Sequence, residues 1–142
     1  MNLSNQISVV SVDDNEDVAD ALRILFGREQ GFQWKGARQL PDELFPFVAD
    51  TCPDVLLLDL DMSGFEPFTA IRELSQRCPS TRVIVFSGHV RKELVENALE
   101  AGAWGYISKA DGEDVLIEAV RRVAKGEEVM LGPEARAIYS GV

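Results

Sequence analysis

The chain has only two cysteines among its 142 residues, Cys52 and Cys78, and each stands directly before a proline. That spacing fits neither zinc ligation nor a CxxC redox pair, so both read as reduced thiols of a cytoplasmic protein. His89 is the only histidine, and it reads as an ordinary loop side chain to which no metal role is assigned. No apolar run approaches the roughly 18 residues needed to cross a bilayer, and the amino terminus lacks a charged-then-apolar signal pattern. A soluble protein without membrane contact is expected. Basic residues are also scarce: 14 Lys and Arg against 24 Asp and Glu give a formal charge of -10, which repels nucleic-acid phosphates. Direct nucleic-acid binding by this segment is therefore not expected. Internal repeats and low-complexity segments are absent as well.

What is present is a series of short apolar runs, each ending in polar residues. Ile7 to Val12 runs into Asp13-Asp14-Asn15-Glu16-Asp17, which reads as strand, acidic turn and helix start. Val18, Ala21, Leu22 and Leu25 then fall at i, i+3, i+4 and i+7, one face of a helix ending between Gly27 and Gly31. A second strand is predicted over Phe32 to Gly36. Leu40, Leu44, Phe47 and Val48 carry helical spacing, but Pro46 removes a backbone donor and clashes with the preceding turn, so this helix should be short, kinked or irregular. Val55 to Asp59 is a third strand, too short for a buried helix, and it delivers Asp59 to its carboxyl end. Phe68, Ile71 and Leu74 mark a helix with Pro67 in its first turn, ended by Cys78-Pro79. A fourth strand, Arg82 to Phe86, terminates in Ser87-Gly88-His89. Val90, Leu94, Ala98 and Ala101 form a helix closed by Gly102. Trp104 to Ile107 is a fifth strand ending at Ser108-Lys109, and Leu116, Ala119, Val120 and Val123 define a helix that stops at Gly126. Pro133 to Tyr139 reads as a short terminal helix or the start of a linker.

Five strands alternating with five helices imply an α/β fold with a doubly wound parallel sheet, most simply the flavodoxin-like (βα)5 order 2-1-3-4-5. In that order strands one and three are neighbours, and their carboxyl ends carry Asp13, Asp14 and Asp59. Strands four and five bring Ser87 and Lys109 to the same rim. Carboxylates crowded into one crevice repel by roughly 4 kcal/mol for a pair 4 Å apart at an effective dielectric of 20, so a cation belongs among them. An all-oxygen donor set favours Mg2+, with Mn2+ as an acceptable substitute. Together with Lys109 such an ion would turn the pocket into a receptacle for a phosphoryl group. Asp59 is then read as the nucleophile that forms an acyl phosphate. The metal would bridge one phosphoryl oxygen, Lys109 would pair with another, and the Ser87 hydroxyl with the Gly88 amide would bind a third. A glycine-rich phosphate loop does not follow the first strand, because Asp13-Asp14 offers acceptors where a nucleotide loop must offer donors. Taken singly, Asp13 and Asp14 are ordinary helix caps, Ser87 a turn hydroxyl, Lys109 a solvated charge and Tyr106 core packing. Their coincidence at four strand ends favours one mechanism.

With these residues in place, the chain from Ile7 to Gly126 resembles a bacterial response-regulator receiver domain. The motifs that carry the likeness are the acid pair after strand one, Asp59 after strand three, Ser87 after strand four, and Gly105-Tyr106-Ile107-Ser108-Lys109 around strand five. The resemblance implies that Asp59 accepts a phosphoryl group from the phosphohistidine of a histidine kinase or phosphotransfer protein. It also implies that Asp14, Asp59 and the backbone carbonyl of Asp61 hold the Mg2+, with Asp13 assisting through the water shell. Ser87 and Tyr106 resemble the family's switch pair, in which the hydroxyl moves toward the phosphoryl group and the ring turns inward. Ala101 to Tyr106 and Ile117 to Gly126 look most like receivers that precede a LuxR-type helix-turn-helix. Ser63 stands where the family usually has proline, and Glu66-Pro67 replaces the common Asp-Gly. Asp61 and His89 flank the path of an attacking water and are expected to tune phosphoryl lifetime. Residues 1–126 are thus expected to form the receiver domain and 127–142 an extension too short for an output domain. The expected downstream partner is an effector or an output domain, and a phosphorylation-dependent homodimer is a further expectation. Two rivals stand beside this reading. One is a haloacid-dehalogenase-like phosphatase using Asp59 as nucleophile, the other a phosphorylation-independent receiver-like binding module.

Overall fold

A computed structural model describes residues 5–140. Its strands are β1 (Ile7–Val12), β2 (Phe32–Arg38), β3 (Val55–Leu58), β4 (Arg82–Ser87), β5 (Gly105–Ser108) and β6 (Met130–Leu131). The helices are α1 (Glu16–Arg28), α2 (Leu44–Thr51), α3 (Pro67–Arg77), α4 (Lys92–Ala101), α5 (Glu113–Ala124) and α6 (Pro133–Ser140). All neighbouring strands pair in parallel, in the order β2-β1-β3-β4-β5-β6. This is the expected flavodoxin-like doubly wound order, extended by one edge strand.

Alternation along the strands divides the core into two layers. Val10, Val12, Leu56, Leu58, Val83 and Val85 face α2, α3, α4 and α6. Val9, Val55, Leu57, Ile84 and Ile107 face α1 and α5. Since side chains on a strand point alternately to opposite faces, the same parity carried past the strand ends assigns Asp13, Asp59 and Lys109 to the α1/α5 side. Ser87 and Tyr106 take the other side by the same rule.

Two local features depart from the sequence expectation, and a third, the helix around Pro46, agrees with it. β2 runs on to Arg38 because the register slips between Val9 and Val10, leaving Lys35 as an extra residue, and Gly36 takes φ 128° beside the Phe47 ring. The helix that holds Pro46 is short, as expected, at 8 residues. Pro41–Glu43 forms a 3-10 turn and α2 starts only at Leu44, which places Pro46 in the first helical turn, where no intrahelical N–H is required. Finally, residues after Gly126 return to the domain. Met130 N donates to Trp104 O at 2.9 Å and Gly132 N to Tyr106 O at 3.0 Å, so a sixth strand docks on β5. α6 then packs on β5 and α4, with Ala135 fully buried in the same cluster as Val95, Ala98 and Tyr106. Part of the face over α4 and β5 is therefore covered by the chain itself.

Candidate functional site

Short loops at the carboxyl edge of the sheet build the site. After β1 the chain turns at Asp13, whose N–H donates to Arg38 O at 3.0 Å and whose Oδ1 accepts from Asn15 N at 2.9 Å. Asn15 in turn caps α1, accepting from Asp17 N at 2.9 Å, and the acids Glu16 and Asp17 occupy the helix's positive end. Asp59 follows β3 directly, its N–H bonded to Val12 O at 3.0 Å. Lys109 follows β5, its N–H bonded to Ser87 O at 2.9 Å. The backbone ladder thus extends one residue beyond each strand and fixes these side chains to one another.

The acids converge as the topology requires. Asp13 and Asp59 are buried, at 3% and 4% exposure, whereas Asp14 faces solvent. One carboxylate oxygen from each of the three lies within 4.8 Å of the others. Among the described residues the ammonium beside them is that of Lys109, whose Nζ is 2.8 Å from Asp13 Oδ2 and 3.7 Å from Asp59 Oδ1. Three carboxylates and one ammonium leave an excess of negative charge in a notch with limited access to water. The consequence shows at Asp59, whose carboxyl is held above the ordinary carboxylate range. Burial is the largest cause and the neighbouring Asp13 adds to it, while Lys109 and a backbone N–H of Asp61 oppose the shift. This donor set, all oxygen and undercompensated, is compatible with a divalent cation such as Mg2+ or Mn2+.

The residues on the opposite side of β4 and β5 form a separate set. Ser87 is fully buried and its Oγ accepts from His89 N at 3.0 Å. Tyr106 is fully buried too, in the inward position, and its hydroxyl donates to His89 O at 2.6 Å. Burial pushes the phenol up to about 12. His89 contributes its main chain here, while its imidazole is exposed, with Nε2 3.5 Å from Asp61 Oδ2. Both of those side chains are exposed. Gly88 is exposed between Ser87 and His89, with open space where a Cβ would be. The loop after Asp59 is anchored by buried Leu60 and Met62 and closes in a turn, Phe65 N to Met62 O at 3.2 Å, with Gly64 at φ 70°. It forms without the proline that Ser63 replaces.

One participant was missed by sequence reasoning. Asp111 was assigned no role, yet its Oδ2 accepts from Ser108 N at 2.9 Å, closing the loop that carries Lys109. The signal was there in the spacing Ser108-Lys109-Ala110-Asp111, the polar pattern of a side-chain-capped turn.

The fold and the site together define an α/β switch domain whose chemistry is concentrated in a carboxylate notch at the sheet's carboxyl edge. The chain matches the response regulator receiver domain family over residues 9–121 and belongs to that family. It is 38% identical over 108 residues, 76% of this chain and 47% of the other, to the transcriptional activator protein ExaE of Pseudomonas putida. A solved LuxR family two-component response regulator from Aurantimonas sp. SI85-9A1 superposes with a TM-score of 0.88 at 24% identity, covering 96% of each chain. A LuxR family DNA-binding response regulator from Silicibacter pomeroyi gives a TM-score of 0.73 at 32% identity, covering 91% of this chain and 98% of that one. The chain spans about half the length of the curated relatives it matches. It is a receiver domain of two-component signalling, with the acidic cluster typical of the family's phosphoaccepting site. As such it catalyses only its own phosphorylation and dephosphorylation, and the phosphatase reading falls.

Proposed function

We propose that Asp59 is the phosphoacceptor and that a partner histidine kinase or phosphotransfer protein supplies the phosphoryl group. The single observation that carries this reading is the convergence of Asp13, Asp14 and Asp59 in one notch, with the Lys109 ammonium beside Asp13 and Asp59. In the transfer, an Asp59 carboxylate oxygen forms the new bond to phosphorus as the P–N bond of the donor phosphohistidine breaks, and the imidazole leaves with the electron pair. Asp14, Asp59 and the Asp61 carbonyl would hold the Mg2+, which when bound neutralises charge on the equatorial oxygens. Asp13 would contribute through the ion's water shell while keeping Lys109 in place. Lys109 is 3.7 Å from Asp59 and needs only a small shift to pair with a phosphoryl oxygen. Ser87 and the Gly88 amide would take the remaining oxygen, which requires Ser87 Oγ to exchange its bond from His89 N. Asp61 and His89, whose side chains lie 3.5 Å apart, would flank the path of an attacking water and tune phosphoryl lifetime. Tyr106 would be the second half of the switch.

Residues 1–126 would constitute the receiver and 127–142 the segment that reports to a downstream effector or output domain. The relatives carry the names transcriptional activator and DNA-binding response regulator, which supports an output in transcription. Dimerisation on phosphorylation would fit that output. No helix among the described residues is long and apolar enough to cross a membrane, and both cysteines are free thiols, in keeping with action in the cytoplasm. Incubation with acetyl phosphate and Mg2+ should add one acid-stable, base-labile phosphoryl group to the wild type and none to Asp59→Asn. Labelling of Asp59→Asn equal to wild type would sink the proposal by placing the phosphoryl group on another residue, and a wild type that takes no label would favour the phosphorylation-independent module.

A further inference from the structure

We propose that Asp111 is the link through which the state of the Lys109 loop reaches the carboxyl-terminal helix α6. The inference rests on the phosphoacceptor reading and adds a route of output to it. Asp111 and Ser108 are bonded twice, Asp111 N to Ser108 O at 3.0 Å and Ser108 N to Asp111 Oδ2 at 2.9 Å, so the turn that contains Lys109 is a closed unit. The other carboxylate oxygen, Oδ1, faces Glu134 N at 3.4 Å. Pro133 has no N–H, so Glu134 N is the first donor of α6, and Asp111 caps that helix from 23 residues away. The approach is close: a Cβ at Gly132 would overlap the Asp111 carboxylate. A glycine here is needed for that contact.

The geometry makes α6 sensitive to Lys109. Drawing Lys109 from Asp13 toward a phosphoryl group on Asp59 moves the Ser108–Asp111 turn as one piece. The cap on Glu134 N must then shift or break, and α6 responds where it packs on α4 and β5 through Ala135. Its displacement alters the surface that α6 and α4 form over β5.

Hydrogen exchange of the full chain, with and without beryllium fluoride and Mg2+, tests the link. In the wild type the probe should change exchange both in segment 87–90 and in segment 130–140, the latter several-fold. Asp111→Asn is isosteric, but its amide has one acceptor oxygen for two N–H groups, so one of the two bonds must fail. Gly132→Ala keeps the carboxylate and displaces it. In both variants the response at 87–90 should persist while that at 130–140 falls to a small fraction of wild type. A wild-type response at 130–140 in Asp111→Asn overturns the proposal, including the case where only Gly132→Ala loses it, since that would place the coupling in the β6 backbone. A wild type that responds at 87–90 but not at 130–140 overturns the link alone. No response in either segment of the wild type overturns the phosphoacceptor reading itself.

Discussion

The two ends of the sheet handle buried polar groups in opposite ways. At the amino end Asp54 accepts from Ser8 N at 2.9 Å and from Ser8 Oγ at 3.1 Å, and its own N–H returns a bond to Ser8 Oγ at 2.8 Å. Thr81 Oγ1 donates to Pro53 O at 2.7 Å, and Arg82 donates to Ala124 O at 3.2 Å while stacking 4.7 Å over the Trp104 ring. Every one of these groups has its partner, and the arrangement is a structural seam. At the carboxyl end, two buried carboxylates share the Lys109 ammonium and a third carboxylate, at the surface, lies within 4.8 Å of them. The Ser11 hydroxyl, two residues before Asp13 in β1, is buried without a hydrogen-bond partner among the described residues. Polar groups closed among themselves hold a fold together; polar groups left in excess await a ligand.

The contrast can be broken by substitution at either end. The largest effect belongs to Lys109→Met. Removing the cation that faces the transferred group should slow acetyl-phosphate labelling by about 10²- to 10³-fold, the scale of one lost charge-stabilising donor. Labelling within threefold of wild type would show that Lys109 is structural. Asp54→Ala should do the reverse. It leaves Ser8 N without its acceptor and costs about 2 kcal/mol in chemical denaturation, with labelling of the folded protein unchanged. The smallest effect is a gain. Asp59→Asn should stabilise the metal-free protein by about 1 kcal/mol at neutral pH, about 4 °C in Tm for a domain of this size. Its sign follows from the raised Asp59 pKa: the folded state holds that proton more tightly than the unfolded chain. Protonation of Asp59 thus favours folding, and the wild type loses stability as pH rises from the ordinary value of 3.8 through the raised one. Below that window both states are protonated and the advantage of Asp59→Asn should vanish.

The fold was legible in the sequence because each strand is an apolar run that stops at a polar residue, and parallel order then assembles those stops on one rim. Asp13, Asp59, Ser87 and Lys109 all lie where that logic places them. The edge of the sheet was not legible. Met130–Leu131 is two residues long, too short for any alternation to register, and it becomes a strand only because β5 offers Trp104 O and Tyr106 O. β2 was read as ending at Gly36, since glycine interrupts strands, whereas here it lets the strand absorb a bulge. Pro46 was read as a flaw inside a helix because helical spacing from Leu40 concealed the later start at Leu44. The inward Tyr106 and the contact of Asp111 with α6 depend on bonds to residues 17 and 23 positions away, which no local pattern contains.

Thermal unfolding across a Mg2+ titration measures the central claim, that the carboxyl-end charge excess is a cation site built around Asp59. Wild type should gain stability with Mg2+, by about 1.4 kcal/mol at ten times the dissociation constant, and the gain should be largely lost in Asp59→Asn and retained in Asp54→Ala. A wild type whose Tm ignores Mg2+, or an Asp59→Asn variant that gains as much as wild type, would contradict the account.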